Sequence, residues 1–287
     1  MNIDEGFRNH VDAIFQPLNK ISAIHKLPEP GKFSEILKEF SVKMSSSTSS
    51  VTWNINQQIA SYFGTAAVEV WLRGVHSFLI SVSLTEVSPI WASVSGYYSS
   101  HYSVRGIAHL LGYFNLFSKS QTVQLQRNGG RYSCVFASKP GGKNGGEHKL
   151  YWILVKRNPI FASDPIFTEN DQSIDASDIG HRNFANYMDH LFIFPNFHPL
   201  DEKALKNRIE RISKISLNDT PIPRRSSFPD VDYVQLIAYH RIISFRKILD
   251  EILGNKNKFW KAYRNPDFSS KYMDFQLANS DGLTPLK

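Results

Sequence analysis

SPIWASVSGYYSSHYSVRGIAHLLGYFNLF, residues 88–117, decides the fold. Ser88 followed by Pro89 reads as a helix cap with proline in the first helical position. Beyond it Ile90, Val94, Tyr97, Tyr98, Tyr102, Ile107, Leu110, Leu111 and Phe114 recur at helical spacings and predict one helix to about Phe117. Between Ser45 and Ser118 the only formally charged residues are Glu69, Arg73, Glu86 and Arg105, so this tract reads as the centre of the core.

Upstream, Val68, Val70 and Leu72, then Phe78, Ile80, Val82 and Leu84, alternate as a strand would, but the unbroken length and the Glu69/Arg73 pair favour a helix over 66–87. The hydroxyl-rich MSSSTSS from Met44 reads as a loop. Before it, Phe7, Val11, Ile14, Leu18 and Ile21 predict an amphipathic first helix, and 33–40 a second.

Downstream the period changes. Val123 and Leu125, then Tyr132, Cys134 and Phe136, alternate about Asn128-Gly129-Gly130, a hairpin signal. The PGGKNGG turn and the run from Leu150 to Lys156 supply a third strand. From Lys119 to Arg157 eight basic residues stand against Glu147 alone, a net +7, whereas 160–200 carries a net −5. Helices are expected over 178–192, 201–215 and 230–253, with a proline-rich linker at 218–229.

The fold class is therefore mainly α, a helical bundle with an inserted three-stranded antiparallel β-meander. It comprises N-terminal helices (1–43), a first part of the bundle (44–118), the basic meander (119–160), a second part of the bundle (161–255) and a C-terminal extension (256–287).

The 287 residues carry 33 Lys and Arg against 26 Asp and Glu, a formal +7 that favours an anionic partner. A single cysteine, Cys134, excludes an intrachain disulfide and a cysteine-based zinc site, and fits a reducing cytoplasm. The N-terminus lacks the pattern of a secretory signal, and the weakly charged run 68–104, broken by Arg73, His76, Glu86 and Pro89, fits buried helices better than a membrane span. No phosphate-binding or dinucleotide-binding glycine pattern is present, and no cofactor is expected.

Two clusters carry candidate chemistry. His101, Arg105 and His109 advance in steps of four, turning about 40° each, and share one broad helix face. Arginine in so apolar a tract must meet an anion or an acidic partner, which in a purely structural role would be Glu69 or an Asp of another helix. In GHRNFANYMDH, residues 180–190, Arg182, Asn186 and His190 repeat the spacing, with Asn183 and Asp189 nearby. Arginine can neutralise a phosphate and histidine can move a proton near neutral pH, the minimum for metal-free RNA cleavage. In a structural role, Asp178 or Asp189 simply neutralises Arg182. His148, His181, His190 and His198 show no zinc motif, so no metal site is expected. No serine lies in a nucleophile elbow.

The 88–112 segment, with its tyrosine pair, small residues and leucine pair, resembles the central helix of the HEPN superfamily, and Arg182-Asn183-Phe184-Ala185-Asn186-Tyr187 resembles that superfamily's arginine signature. Tyr187 stands where the histidine follows a four-residue spacer, and His190 lies further on. The resemblance implies a helical bundle, often dimeric, found in bacterial toxins and antiviral defence, active as a metal-independent endoribonuclease or noncatalytic. In a catalytic member Arg182 would hold the phosphate, His190 exchange protons and Asn183 orient one, with Arg105 or His101 reaching the same phosphate across a dimer. Arg127, Arg131, Lys139, Lys143 and Lys149 would grip the nucleic acid.

Two other readings stay open. The opposed +7 and −5 segments suit a docking subunit of a protein complex. Asp164, Glu169 and Asp171 with Lys149 and Lys156 supply the residue types of a magnesium-dependent DNA endonuclease.

Overall fold

The computed structural model describes residues 38, 39, 42, 50–53, 57–116, 121–128, 131–136, 147–158, 161, 201–219 and 230–253. Among them the fold is mainly helical. In chain order the elements are β1 (Ser50–Trp53), α1 (Gln57–Ser83), α2 (Pro89–Leu110), β2 (Tyr113–Leu116), β3 (Gln121–Asn128), β4 (Arg131–Phe136), α3 (Glu147–Arg157), α4 (Glu202–Ser213), a 3-10 turn at Leu217–Asp219, and α5 (Val231–Leu253). No described helix is long and apolar enough to cross a membrane. The expected first helix and the expected helix at 178–192 lie outside the described residues; of the second, Lys38 and Glu39 are helical.

The chain divides into two compact units, the first formed by Met1–Val70, Val104–Ala162 and Ile248–Ala262, the second by Trp71–Ser103, Ser163–Lys247 and Tyr263–Lys287.

In the first unit, α2 stops seven residues short of Phe117, at Leu110. Gly112 takes φ 85°, a left-handed conformation that glycine adopts without the Cβ penalty. Its N–H closes on the His109 carbonyl at 2.9 Å, while its own carbonyl accepts from Leu125 at 2.8 Å, handing the chain to the sheet. The sheet is antiparallel in the order β1-β4-β3-β2. The expected hairpin forms, with Asn128 opposite Arg131 and Leu125 opposite Cys134. Val123 and Leu125 are buried while Gln124 between them is half-buried, the period-two pattern that predicted this strand. β1 begins at Ser50, the last residue of the hydroxyl-rich run read as a loop.

The third strand of the expected meander does not form, because Glu147–Arg157 is the helix α3. Tyr151, Trp152, Leu154 and Val155 are all buried, the i, i+3, i+4 spacing of a helical face. Lys156 and Arg157 occupy its last turn, where positive charge opposes the negative end of the helix dipole.

In the second unit the expected cap is present: the Ser88 carbonyl accepts from Ala92 N–H at 2.9 Å and its Oγ from Trp91 N–H at 3.5 Å. Asp201 caps α4 through Ala204 N–H (2.7 Å), and Asp230 caps α5 through Tyr233 N–H (2.9 Å). Segments of α1 and α2 close on each other through small residues, with Ser99 Oγ donating to the Gly74 carbonyl at 2.7 Å and Ser81 Oγ to the Ala92 carbonyl at 2.6 Å. Trp71 ties in α5 by donating Nε1–H to the Ile242 carbonyl at 3.2 Å.

Candidate functional site

Arg105 and His109 sit one turn apart near the end of α2, in the first unit. Arg105 is half-buried, and its Nε–H donates to His109 Nε2 at 3.4 Å. Its guanidinium lies 5.7 Å from the centroid of the Tyr151 ring, a cation–π distance. His109 is 2% exposed. Phe114 meets its ring edge-on at a centroid distance of 4.8 Å, and Tyr151 lies tilted to it by 39° at 6.2 Å. Burial first, and then the Arg105 charge, hold His109 well below the usual histidine pKa.

Two further groups belong to this unit. Tyr113 opens β2 and accepts from Gln124 Nε2 at 3.1 Å. Burial raises its phenol pKa, against the opposing pull of Arg157. Arg157 itself is exposed. The spacing of four puts Arg105 and His109 on one face but points to an acidic partner for the arginine and not to the histidine, and Tyr151 and Arg157 come from a helix where the alternation predicts a strand.

His101 shares α2 with Arg105 but belongs to the second unit. It is 3% exposed, stacked on Tyr97 at 6.1 Å and 15°, with Tyr98 and Tyr102 against it. A histidine so enclosed is part of the packing of that unit.

Of the other expected site residues, Arg127 and Arg131 lie in the hairpin strands and Lys149 in α3. Arg182, Asn183, His190, Lys139 and Lys143 lie outside the described residues. So do Asp164, Glu169 and Asp171, while Lys149 and Lys156 lie on the helix α3 and not on the expected strand. Among the described residues no three His, Cys, Asp or Glu side chains could hold a metal ion.

The second unit carries a buried polar chain of its own. Gln235, fully buried, donates Nε2–H to the Ser81 carbonyl and to Thr85 Oγ1, each at 2.9 Å, and accepts from Arg208 Nε at 2.9 Å. Arg208 pairs with Asp232. A cleft of about 430 Å³ opens beside it, lined by Arg211, Ile212, Ile215, Asp230, Asp232, Tyr233 and Leu236. Both of its acids are already engaged, Asp230 as a helix cap and Asp232 with Arg208 and Arg211.

Two histidines give the fold a pH dependence. His240 Nε2–H donates to the Ile215 carbonyl at 2.9 Å, and burial lowers its pKa against the opposing effect of that bond, with Lys247 lowering it further. His109 is lowered more strongly. Both stay neutral in the folded chain where the unfolded chain binds protons. Stability is therefore fully present above the ordinary value of 6.5 and is lost as pH falls from there through the depressed folded values. The denaturant midpoint is expected to be lower at pH 5.5 than at pH 7.5, with a smaller drop in His109→Gln; an equal drop in both proteins would show that His109 does not contribute.

The chain matches no family model, no curated protein and no solved structure.

Proposed function

We propose that this chain is an RNA-directed, HEPN-like helical protein whose first unit holds the phosphate backbone. The observation that supports this reading is Arg105, a half-buried guanidinium tied at Nε to His109 and laid against Tyr151. A planar cation fixed in this way suits a phosphate better than a flexible lysine does. The same unit contains the hairpin that carries Arg127 and Arg131 and the helix that carries Lys149, Lys156 and Arg157.

The surroundings of Arg105 favour holding over cutting. His109 is enclosed and uncharged, and a proton shuttle must exchange with a substrate it touches. Cleavage, in this reading, belongs to Arg182, Asn183 and His190, with the RNA's own 2′-hydroxyl as nucleophile and no metal.

The test incubates a single-stranded RNA and its 2′-deoxy counterpart with the full chain, in excess EDTA and in parallel with magnesium, scoring binding and cleavage separately. RNA is expected to bind with an affinity that falls with salt, and Arg105→Gln to weaken binding about tenfold and reduce the salt slope by about one. His190→Ala is expected to retain binding and remove whatever cleavage the parent shows. Failure of RNA to bind would sink the proposal and favour the docking subunit, for which the adjoining +7 and −5 segments speak. Cleavage of the deoxy strand that requires magnesium would favour the DNA endonuclease.

A further inference from the structure

We infer that His109 is a positioning residue for Arg105: an imidazole with its proton on Nδ1 and a bare Nε2 that accepts the Arg105 Nε–H and sets the guanidinium before RNA arrives. The inference deepens the RNA-binding reading above and rests on it for its functional meaning.

The proton assignment follows from the chemistry of the two groups. Arginine Nε–H donates and has no lone pair with which to accept. The atom facing it at 3.4 Å, His109 Nε2, must therefore supply the lone pair. An imidazolium has none to offer at either nitrogen, and the tautomer protonated at Nε2 would set two N–H groups head to head. Only the neutral tautomer protonated at Nδ1 remains. Burial and the neighbouring positive charge both disfavour protonation, in agreement with this geometry.

The packing then fixes where Nε2 points. Phe114 from β2 lies edge-on to the imidazole at 4.8 Å, and Tyr151 from α3 lies on it at 6.2 Å while also supporting the Arg105 guanidinium at 5.7 Å. Two elements, β2 and α3, thus pack against the pair, and Tyr151 reaches both of its members. A residue of this kind acts on a ligand only through its neighbour. Ordering a long side chain before binding removes part of the entropy loss that binding would otherwise incur, an effect of about threefold to tenfold in affinity.

Two measurements test this. In the full chain with nitrogen-15-labelled histidine, long-range proton–nitrogen spectra at neutral pH are expected to show the His109 resonances, assigned by their loss in His109→Gln, as the tautomer protonated at Nδ1. An imidazolium or a proton on Nε2 would overturn the inference. Poly-U RNA binding is then compared across variants. His109→Gln places an amide oxygen near the position of Nε2 and is expected to bind within about twofold of the parent. His109→Leu removes the acceptor and is expected to bind about threefold to tenfold more weakly. In Arg105→Gln the same leucine substitution is expected to add nothing, since there is no guanidinium left to position.

Equal binding by the leucine and glutamine variants, or an undiminished effect of leucine without Arg105, would overturn the positioning role while leaving RNA binding intact. Failure of the parent to bind poly-U would overturn the RNA reading and the role together, with the tautomer still read independently. If His109→Leu does not fold, the spectrum and the glutamine variant decide: loss of binding in folded His109→Gln of the same size as in Arg105→Gln would overturn rescue by a retained acceptor.

Discussion

Arg241→Ala is expected to destabilise the chain by about 3–5 kcal/mol, far more than removal of an exposed arginine such as Arg211. Arg241 is 0% exposed and sits in the middle of α5, where a guanidinium stripped of water must have its donors met by the protein around it. Alanine deprives those groups of their partner and also opens a cavity. Arg241→Met fills more of the volume, so the difference between the two variants separates the cavity from the lost donors. Arg105 is half-buried and keeps part of its water, so Arg105→Ala is expected to cost less than Arg241→Ala. Urea denaturation followed by circular dichroism measures all three. Equal losses for Arg105→Ala and Arg241→Ala would show that burial of the guanidinium is not what sets the energy.

That ordering reverses the expectation drawn from local composition, and the reason is physical. Arg105 stands in a tract almost without charge, which made it the arginine to suspect of full burial. Arg241 stands in VDYVQLIAYHRIISFRKILDEIL, a segment with charges along its length. Burial depends on which face meets a neighbour, and charge density along the chain does not report that. Arg246, 6% exposed and 5.7 Å from the Trp71 ring, makes the same point on the same helix.

Elements with an unambiguous local code were legible. Ser88-Pro89, Asp201 and Asp230 cap the helices that follow them, and Asn128, the start of the hairpin signal, ends one strand opposite Arg131 of the next. The errors fall where two codes overlap. Leu110, Leu111 and Phe114 continue the apolar pattern of α2, but Gly112 can take a left-handed conformation and ends it. YWILV from Tyr151 to Val155 is apolar at every position, so strand and helix periods fit it equally, and only the packed face distinguishes them. Misreading that one run also hid the site, since Tyr151 reaches His109 and Arg105 only from a helix. The face of His101, Arg105 and His109 divides in the same way: His101 packs among Tyr97, Tyr98 and Tyr102, while Arg105 bonds to His109.

The small residues of α2 make a second large effect predictable. A Cβ on Gly96 would lie 2.6 Å from Val234 Cγ1 and 3.1 Å from Ser81 Oγ. Val234 is buried and its branched side chain is stiff, while Ser81 is held by its bond to Ala92. Neither neighbour can withdraw cheaply. Alanine in place of glycine inside a helix is ordinarily worth about 1 kcal/mol of added stability. Here the overlap reverses the sign, and Gly96→Ala is expected to lower stability by about 1–2 kcal/mol and Gly96→Val by about 3 kcal/mol. Gly74 supplies the comparison, because its Cβ would meet the Ser99 carbonyl at 3.3 Å, a tight contact that a few tenths of an ångström relieves. Gly74→Ala is therefore expected to be close to neutral, helix propensity offsetting the strain. Adding Val234→Ala to each variant identifies the cause. The second change should cost less in Gly96→Ala than in the parent, because it removes the atom that the new methyl strikes, and should cost the same in Gly74→Ala as in the parent. If Val234→Ala is equally costly in all three backgrounds, the close approach of α2 and α5 at Gly96 is not what makes that glycine necessary.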